Sequence, residues 1–474
     1  MQAHQPSHTF ARSFGAAALF GMIAILGPAN VAAAADEAAW KAGAVEVVIT
    51  PEENIWMAGY ASRDHPAEGK ETDLHGKALA LEDQTGARLV IVTLDLIGVP
   101  RELRKNLETR CGEAYGLPPE GLLINASHTH SGPEFRVGRT HGDDGDVGHS
   151  EGGEAYGRRL EDALFEAVGQ AINRLEPARL GYTHARAGFA MNRRLPSPDG
   201  YRNSPNPDGP VDQAVPVLRV TGENGKLRAV LFGYACHNTT LALYDWNADY
   251  AGYAQTYIQE SHPGVTALFL MGCGGDQNPY PRGSVELCKQ HGRALANAVQ
   301  VALDVAPREI KGPLRSAIAE VDLDYANVPT RDELEKRIES GSKLEADHAK
   351  RFLAKLDAGE NLPTSYPCPV QVIRFDNDLV IAAISGETVV DYSLRLKREL
   401  NGEAAVWVAG YSNDVMGYLP SKRVREEGGY EAEGAMLYSS THPSPWAPSL
   451  EERIIAKVHE LNQALLAAEK DSNR

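Results

Sequence analysis

RLVIVTLDLIGVPRELRKNLETRCGEAYGLPPEGLLINASHTH, residues 88–130, contains one complete strand–helix–strand unit. The apolar run 88–98 predicts a buried strand, and 101–116 predicts a helix that stops at Gly116. A second apolar run, 121–128, predicts another strand, which ends at His128 and is followed closely by His130. This succession indicates a body in which helices cover a β-sheet.

The same alternation continues along the rest of the chain. Further strands are predicted at 228–237, 265–276, 379–387 and 404–414, and further helices at 157–175, 253–260 and 285–303. We therefore predict an α/β or α+β fold with helices packed on sheets. The charged segment 331–360 predicts an exposed helical pair.

Length and charge limit the classes of function. The chain has 474 residues, of which 43% are hydrophobic and 23% charged, as expected for a folded globular protein. Its formal net charge of -17 argues against nucleic acid as a partner, because a phosphate backbone needs a basic surface. The sequence does not indicate an oligomeric state.

The N-terminus predicts export. Arg12 precedes the apolar stretch FGAAALFGMIAIL, residues 14–26, and the small-residue tail ANVAAAADE follows it. A basic start, an apolar core of about 7–15 residues and an Ala-x-Ala-like site are typical of a secretory signal peptide. We predict that residues 1–35 are removed and that the mature chain, 36–474, is secreted or periplasmic without a transmembrane anchor. An uncleaved anchor is the alternative.

The cysteines and one acidic loop are less informative. Five cysteines at irregular spacing indicate no disulfide framework, although Cys273 and Cys288 are a candidate pair. The Gly-rich acidic stretch THGDDGDVGHSEGGE, residues 140–154, is typical of a solvated loop, and a calcium site is the alternative.

Predicted strands end in residues that could bind zinc. His128, His237 and Glu387 each follow a predicted buried strand. Sites in layered α/β folds form beyond the carboxyl ends of strands, and a catalytic zinc takes a few nitrogen or oxygen ligands and keeps one position open for water. Because alternate side chains of a strand share a face, His130 could point into the same pocket as His128. A single histidine at a strand end is more often a hydrogen-bonded loop residue, so the constellation carries the prediction.

Several motifs resemble, in order, those of the neutral/alkaline non-lysosomal ceramidases, which are zinc-dependent amidases that cleave ceramide into sphingosine and fatty acid. SHTHSGP resembles the family element THTHSGPGG, and GCGGDQNP resembles CGDVSPN. The other similar elements are NRRLP, FGYACHNTT, DYAGYAQTYIQE, SGETVV, YSNDVMGY and YEAEGAMLY. Together the matches extend from about Gly59 to Tyr438. The resemblance implies a single catalytic domain with two large twisted β-sheets surrounded by helices.

The resemblance also implies residue roles. The zinc ligands would be His128, His237, Glu387 and Tyr418. Substrate contacts would come from His130, Arg193 and, in a less similar loop, Tyr430. Asp276 and Asn278 lie in the element that carries the catalytic serine of the family, and we include both with His130 among the candidate catalytic residues.

The chain departs from the family in two respects. Asn278 stands in the register of the catalytic serine, and an amide cannot act as a covalent nucleophile, although it can donate a hydrogen bond to a developing oxyanion. After the predicted C-terminal helix we expect no immunoglobulin-like domain of the kind found in full-length ceramidases.

We therefore predict an exported zinc hydrolase that uses zinc-activated water to cleave an amide bond in a small-molecule or lipid-like substrate. An ester or carbohydrate linkage is one alternative to the amide bond. A non-catalytic binding protein with a relict pocket is the other reading, prompted by the missing serine.

Overall fold

Two β-sheets lie face to face in the computed structural model, which describes residues 40–136, 150–402 and 404–472. The strands follow in chain order: β1 Trp40–Val48, β2 Gly69–Lys70, β3 His75–Asp83, β4 Arg88–Leu94, β5 Leu122–Ala126, β6 Glu176–Arg186, β7 Ala190–Ser197, β8 Gly200–Asn206, β9 Ala214–Gly222, β10 Leu227–Tyr234, β11 Asp245–Trp246, β12 Thr266–Met271, β13 Gln277–Pro279, β14 Arg308–Ile310, β15 Leu314–Asp324, β16 Ser365–Phe375, β17 Leu379–Ile384, β18 Glu387–Thr388, β19 Ala405–Ala409 and β20 Tyr418–Leu419.

Helices cover the outer faces of both sheets, except that α5 (Arg331–Ser340) and α6 (Lys343–Asp357) pack mainly on each other. The helices are α1 Arg101–Tyr115, α2 Glu151–Asn173, α3 Asp249–Ser261, α4 Val285–Asp304, α5 Arg331–Ser340, α6 Lys343–Asp357, α7 Val390–Glu399, α8 Lys422–Glu427 and α9 Leu450–Ser472, with short 3-10 helices at Pro119–Gly121 and Gly434–Tyr438. Helix α1 ends at Gly116 in the left-handed conformation (φ = 63°), which glycine adopts without steric cost, so the predicted stop is confirmed.

The larger sheet has nine strands in the order β12-β10-β9-β6-β1-β3-β4-β5, with β14 paired to β6. Pairs β4/β5 and β10/β12 are parallel, and the other pairs between neighbours in this order are antiparallel. The second sheet has the order β15-β16-β17-β19, and β17/β19 is parallel.

Alternate side chains of each strand enter different cores. In β3, Ala78 and Ala80 pack toward helices α1–α4, whereas Leu79 and Leu81 pack between the two sheets. The second sheet contributes residues such as Ile381 to this inner core, and its other face packs against α7 and α9. The layers are therefore helix, sheet, sheet and helix. The predicted α/β class with two large sheets is confirmed.

Asn125 joins the two edges of the larger sheet just before the first site histidine. Its amide oxygen accepts from Met271 N on β12 (2.7 Å), and its Nδ2 donates to Gly410 O (2.7 Å) beyond β19. The side chain is fully buried. A single amide thus fixes the ends of β5, β12 and β19 relative to one another, and these are the strand ends around which the site forms.

Two smaller predictions have different outcomes. The charged segment does form two helices, α5 and α6, each with a capping box. It is more than an exposed excursion, because Arg351 and Lys355 donate to the carbonyls of Leu437 and Ser440. The candidate disulfide is wrong, since Cys273 and Cys288 are free and buried in different cores.

The predicted signal peptide lies wholly outside the described residues, and the acidic stretch 140–154 lies largely outside them. The signal peptide falls before Trp40, and most of the acidic stretch falls within 137–149. Its last residues begin α2, where the Ser150 hydroxyl caps the helix by accepting from Gly153 N. Within the described ranges, no helix is long and apolar enough to cross a membrane.

Candidate metal centre

Three strand ends from the two sheets converge on one buried point. His128 follows β5 and His237 follows β10 in the larger sheet, while Glu387 follows β17 in the second sheet. His128, His130 and His237 present ring nitrogens that lie within 4.8 Å of one another. This histidine cluster could hold a metal ion.

Backbone carbonyls orient the two deepest histidines. His128 Nδ1 lies 2.6 Å from Ile97 O, and His237 Nδ1 lies 2.7 Å from Gly274 O. A carbonyl only accepts, so each Nδ1 carries the proton and each Nε2 turns its lone pair into the site. Anchoring the second ring nitrogen in this way is typical of metal-binding histidines.

The backbone at His128 is held in an unusual conformation. Its φ is 65°, in the left-handed region that a non-glycine residue adopts at a cost of about 1–3 kcal/mol. His128 N donates to Leu96 O (2.9 Å), and the preceding Ser127 N donates to Leu94 O (2.8 Å). The strand neighbours therefore hold the turn that aims the ring.

Acceptor atoms face one another in the cluster, which is the arrangement that a bound cation would need. Glu387 Oε2 lies 3.1 Å from His128 Nε2 and 3.5 Å from His237 Nε2. With both histidines protonated at Nδ1, these contacts join a carboxylate oxygen to two lone pairs. Among the described residues, this buried oxygen has no hydrogen-bond donor. A positive ion would complete the arrangement, and nitrogen and oxygen ligands of this kind suit zinc.

The protonation states of His130 and His237 are those that metal binding requires. Burial, together with the nearby Arg193, lowers the pKa of His237 to about 3. Burial and the neighbouring rings of His128 and His237 hold the pKa of His130 well below its usual range. His130 and His237 are therefore neutral at ordinary pH, and neutral imidazole is the form that binds metals.

Tyr418 and Arg193 complete one side of the cluster. Residues Glu387 and Tyr418 pair directly between β18 and β20. The Tyr418 hydroxyl lies 3.3 Å from His237 Nε2 and accepts from Arg193 Nη2 (2.8 Å). Arg193 is held in turn by Glu431, whose Oε1 accepts from Arg193 Nε (2.8 Å) and whose Oε2 accepts from Arg194 Nη1 (2.6 Å).

Asn278 and Asp276 both contact Arg193, which lies beside His237 and Tyr418. Asn278 Oδ1 accepts from Arg193 Nη1 (3.2 Å), which leaves its amide nitrogen as the free end. The Asp276 carboxylate is fully buried and accepts from Val390 N at the start of α7 (2.9 Å). Its own carbonyl accepts from Arg193 N (2.8 Å). These contacts suit a positioning role for Asp276.

A cavity of about 290 Å³ lies over the cluster. His128, His130, Glu387 and Tyr418 line its polar end. Its other walls include Tyr60, Ile97, Met416, Tyr430, Met436 and Tyr438. Tyr430 is 42% exposed and packs edge-on against Tyr418 with ring centroids 5.5 Å apart. The structure thus brings three of the predicted ligands, together with His130 and Tyr430, around one cavity. The fourth ligand, His237, lies beside Glu387 and Tyr418.

A sequence profile for the N-terminal domain of neutral/alkaline non-lysosomal ceramidases matches residues 41–279, about half of the chain. The chain belongs to this family. The family resemblance inferred from the motifs is therefore confirmed.

Individual ceramidases resemble the chain over different lengths. The neutral ceramidase of Drosophila pseudoobscura pseudoobscura is 31% identical over 121 residues, which cover 24% of this chain and 16% of that protein. The enzyme of Drosophila melanogaster is 32% identical over 101 residues, 20% of this chain and 14% of that protein. The chain thus matches less than a fifth of the length of these curated relatives.

Solved ceramidase structures share the fold over a much longer span. A structure described as ceramidase complexed with C2 superimposes with a TM-score of 0.71 at 20% identity, covering 92% of this chain and 76% of that chain. The crystal structure of neutral ceramidase from Pseudomonas aeruginosa gives a TM-score of 0.68 at 20% identity, covering 90% and 75%.

Some residues at this ceramidase-family site are not among those predicted from the sequence. Glu431 is 3% exposed and accepts hydrogen bonds from two arginines, and in the sequence it directly follows Tyr430 in YEAEGAMLY. Tyr411 packs against His128 with ring centroids 4.6 Å apart and has a φ of 51°. In the sequence, the polar motif YSNDVMGY, which begins at Tyr411, is the signal for this residue. The positive φ found in the structure agrees with it, because non-glycine residues with positive φ cluster at functional sites.

Proposed function

We propose that this chain is an exported zinc-dependent hydrolase that cleaves an amide (N-acyl) bond. The observation that carries the proposal is the buried Glu387 oxygen, which has no hydrogen-bond donor in the described part of the chain and faces two imidazole lone pairs. Membership of the ceramidase family supports the choice of bond. The N-terminal sequence alone supports export.

His128, His237, Glu387 and Tyr418 would hold the zinc. When bound, zinc supplies Lewis acidity and lowers the pKa of a water ligand toward about 7. With asparagine in the register of the family serine, no hydroxyl at position 278 can form an acyl-enzyme, so water is the proposed nucleophile.

The chain supplies the remaining groups. His130 lies in the cavity wall as a neutral imidazole, so its ring N–H can donate a hydrogen bond to a developing oxyanion or to the leaving group. Arg193 is fixed by Glu431 and presents its charge beside Tyr418, where it can orient a polar group of the substrate. Tyr430 gives the cavity an apolar wall for the acyl group.

The size of the cavity sets the class of substrate to test first. A volume of about 290 Å³ is at the small end of ligand sites. Short acyl amides fit such a cavity, while a longer lipid-like chain would have to extend past the exposed Tyr430 and Tyr438.

Elemental analysis followed by a substrate screen tests the proposal. We expect about one zinc per chain in protein purified without chelator, and turnover of a short acyl amide that chelation abolishes and added zinc restores. Ester and glycoside substrates belong in the same screen. Metal-free protein that is active contradicts zinc dependence, and zinc-loaded protein that cleaves none of these substrates favours a binding protein.

Replacing Asn278 with alanine is expected to lower kcat by about 10²-fold, near the lower end of the loss for one oxyanion donor. The matched variant is Asn278→Asp, which keeps an oxygen for Arg193 but has no amide donor. Steady-state kinetics should show that aspartate does not restore activity. If Asn278→Asp is fully active, the amide acts only by holding Arg193, and the proposed donor role is wrong.

A further inference from the structure

A buried ion pair, Glu134 with Arg136, forms part of the cavity wall. Arg136 Nε donates to Glu134 Oε1 (2.9 Å), and Arg136 Nη2 donates to Glu134 Oε2 (2.6 Å). The side chains are 12% exposed for arginine and 2% for glutamate. The family element THTHSGPGG has glycine at the position of Glu134, so the Glu134–Arg136 ion pair is not part of that element.

The backbone around the pair is fixed. Glu134 N donates to Trp56 O (2.8 Å), and the preceding Pro133 forms a bridge with Met57. Glu134 Oε1 also accepts from Arg136 N (2.9 Å), which closes a tight local ring. The guanidinium is therefore held in place before any ligand arrives, which lowers the entropic cost of binding.

The bidentate contact uses only part of the guanidinium. Nε and Nη2 bond to Glu134, whereas Nη1 has no hydrogen bond within the described residues. Arginine has five N–H donors in a rigid fork, so the Nη1 edge remains available to the cavity. Although burial opposes it, Glu134 holds the pKa of Arg136 above its ordinary value, and the guanidinium stays charged.

Local charge has to supply any selectivity for an anion here. The formal net charge of -17 does not attract anions from a distance. A fixed arginine whose side chain is largely buried acts at short range, where solvent screening is weaker than at the surface.

We propose that Arg136 is a specificity-determining residue that binds an anionic group of the substrate, so that the preferred substrates are acyl amides bearing a carboxylate. This inference rests on the proposed hydrolase function and adds the substrate class. The remaining guanidinium edge would donate to the carboxylate while Glu134 keeps the arginine in position.

The test compares N-hexanoylglycine with N-hexanoylethanolamine, which share the acyl chain and the amide and differ in carboxylate against hydroxyl. For the zinc-loaded wild type we expect kcat/KM to favour the glycine compound by about 10–100-fold, the range of a hydrogen bond to a charged group. In Arg136→Gln the preference should disappear through a raised KM for the anionic compound. Activity on the neutral compound should change little.

Controls separate recognition from folding. The double variant Glu134→Gln/Arg136→Gln removes both charges of this pair and should lose the same preference. Arg158→Gln makes the same change at a side chain that is 70% exposed on α2, and it should keep the preference. Equal kcat/KM for the two compounds in the wild type, or an unchanged ratio in the folded double variant, overturns the proposal.

The two proposals can fail separately. If the zinc-loaded wild type cleaves neither compound, nor any amide in the wider screen, the hydrolase function is wrong. The ratio of Kd values for the same pair, measured by calorimetry, then decides anion recognition in the same variants. A preference for N-hexanoylglycine that Arg136→Gln abolishes supports it, and equal binding overturns it.

Discussion

Replacing His237 with alanine is expected to remove most of the bound zinc and to lower kcat/KM by more than about 10³-fold. Loss of a group that merely orients a ligand typically costs about 10–100-fold, and His237 is itself a proposed ligand. The ring is fully buried and fixed through Nδ1 to Gly274 O, so no exposed group can easily replace it. Zinc content by elemental analysis and activity on the substrate found in the screen measure both effects.

His184→Ala is the matched control, because it makes the same change at an exposed histidine on β6. It should retain zinc and activity. Circular dichroism should show that His237→Ala is folded. A folded His237→Ala variant that keeps a full complement of zinc would contradict the ligand assignment.

Replacing Glu431 with alanine is expected to lower the free energy of unfolding by about 3–5 kcal/mol, the usual cost of breaking a buried ion pair. Glu431 holds Arg193 and Arg194 at once, and all three side chains are at most 6% exposed. Its removal leaves two buried guanidinium groups without this carboxylate. Denaturant unfolding followed by circular dichroism gives the difference in free energy.

Two variants define the role of Glu431 further. Glu431→Gln keeps the shape and one acceptor oxygen, so we expect a smaller loss of stability and a raised KM, because Arg193 is less firmly oriented. Glu335→Ala removes an exposed glutamate that lies 3.8 Å from Arg331, and its stability should change little. Wild-type stability in Glu431→Ala would show that water or a neighbouring acid compensates both arginines.

Local sequence signals predicted much of the fold. The runs that became β4, α1 and β5 are recognisable because apolar content and a glycine stop act within a few residues. The antiparallel strands β6–β9 and the long β15/β16 pair were not predicted. Several of them are polar on one face or carry proline, so their pairing depends on partners elsewhere in the chain.

The candidate site likewise combines residues that the sequence predicts with contacts that depend on the tertiary structure. The candidate ligands at the strand ends, His128, His237 and Glu387, are predictable from the sequence, because each follows a buried apolar run. Their convergence from two sheets is visible only in the folded chain, as is the contact of Glu431 with Arg193 across 238 positions of the chain. The tertiary structure also places Arg136 in the cavity wall. Such contacts depend on long-range packing of buried charges, and no local pattern of residues records them.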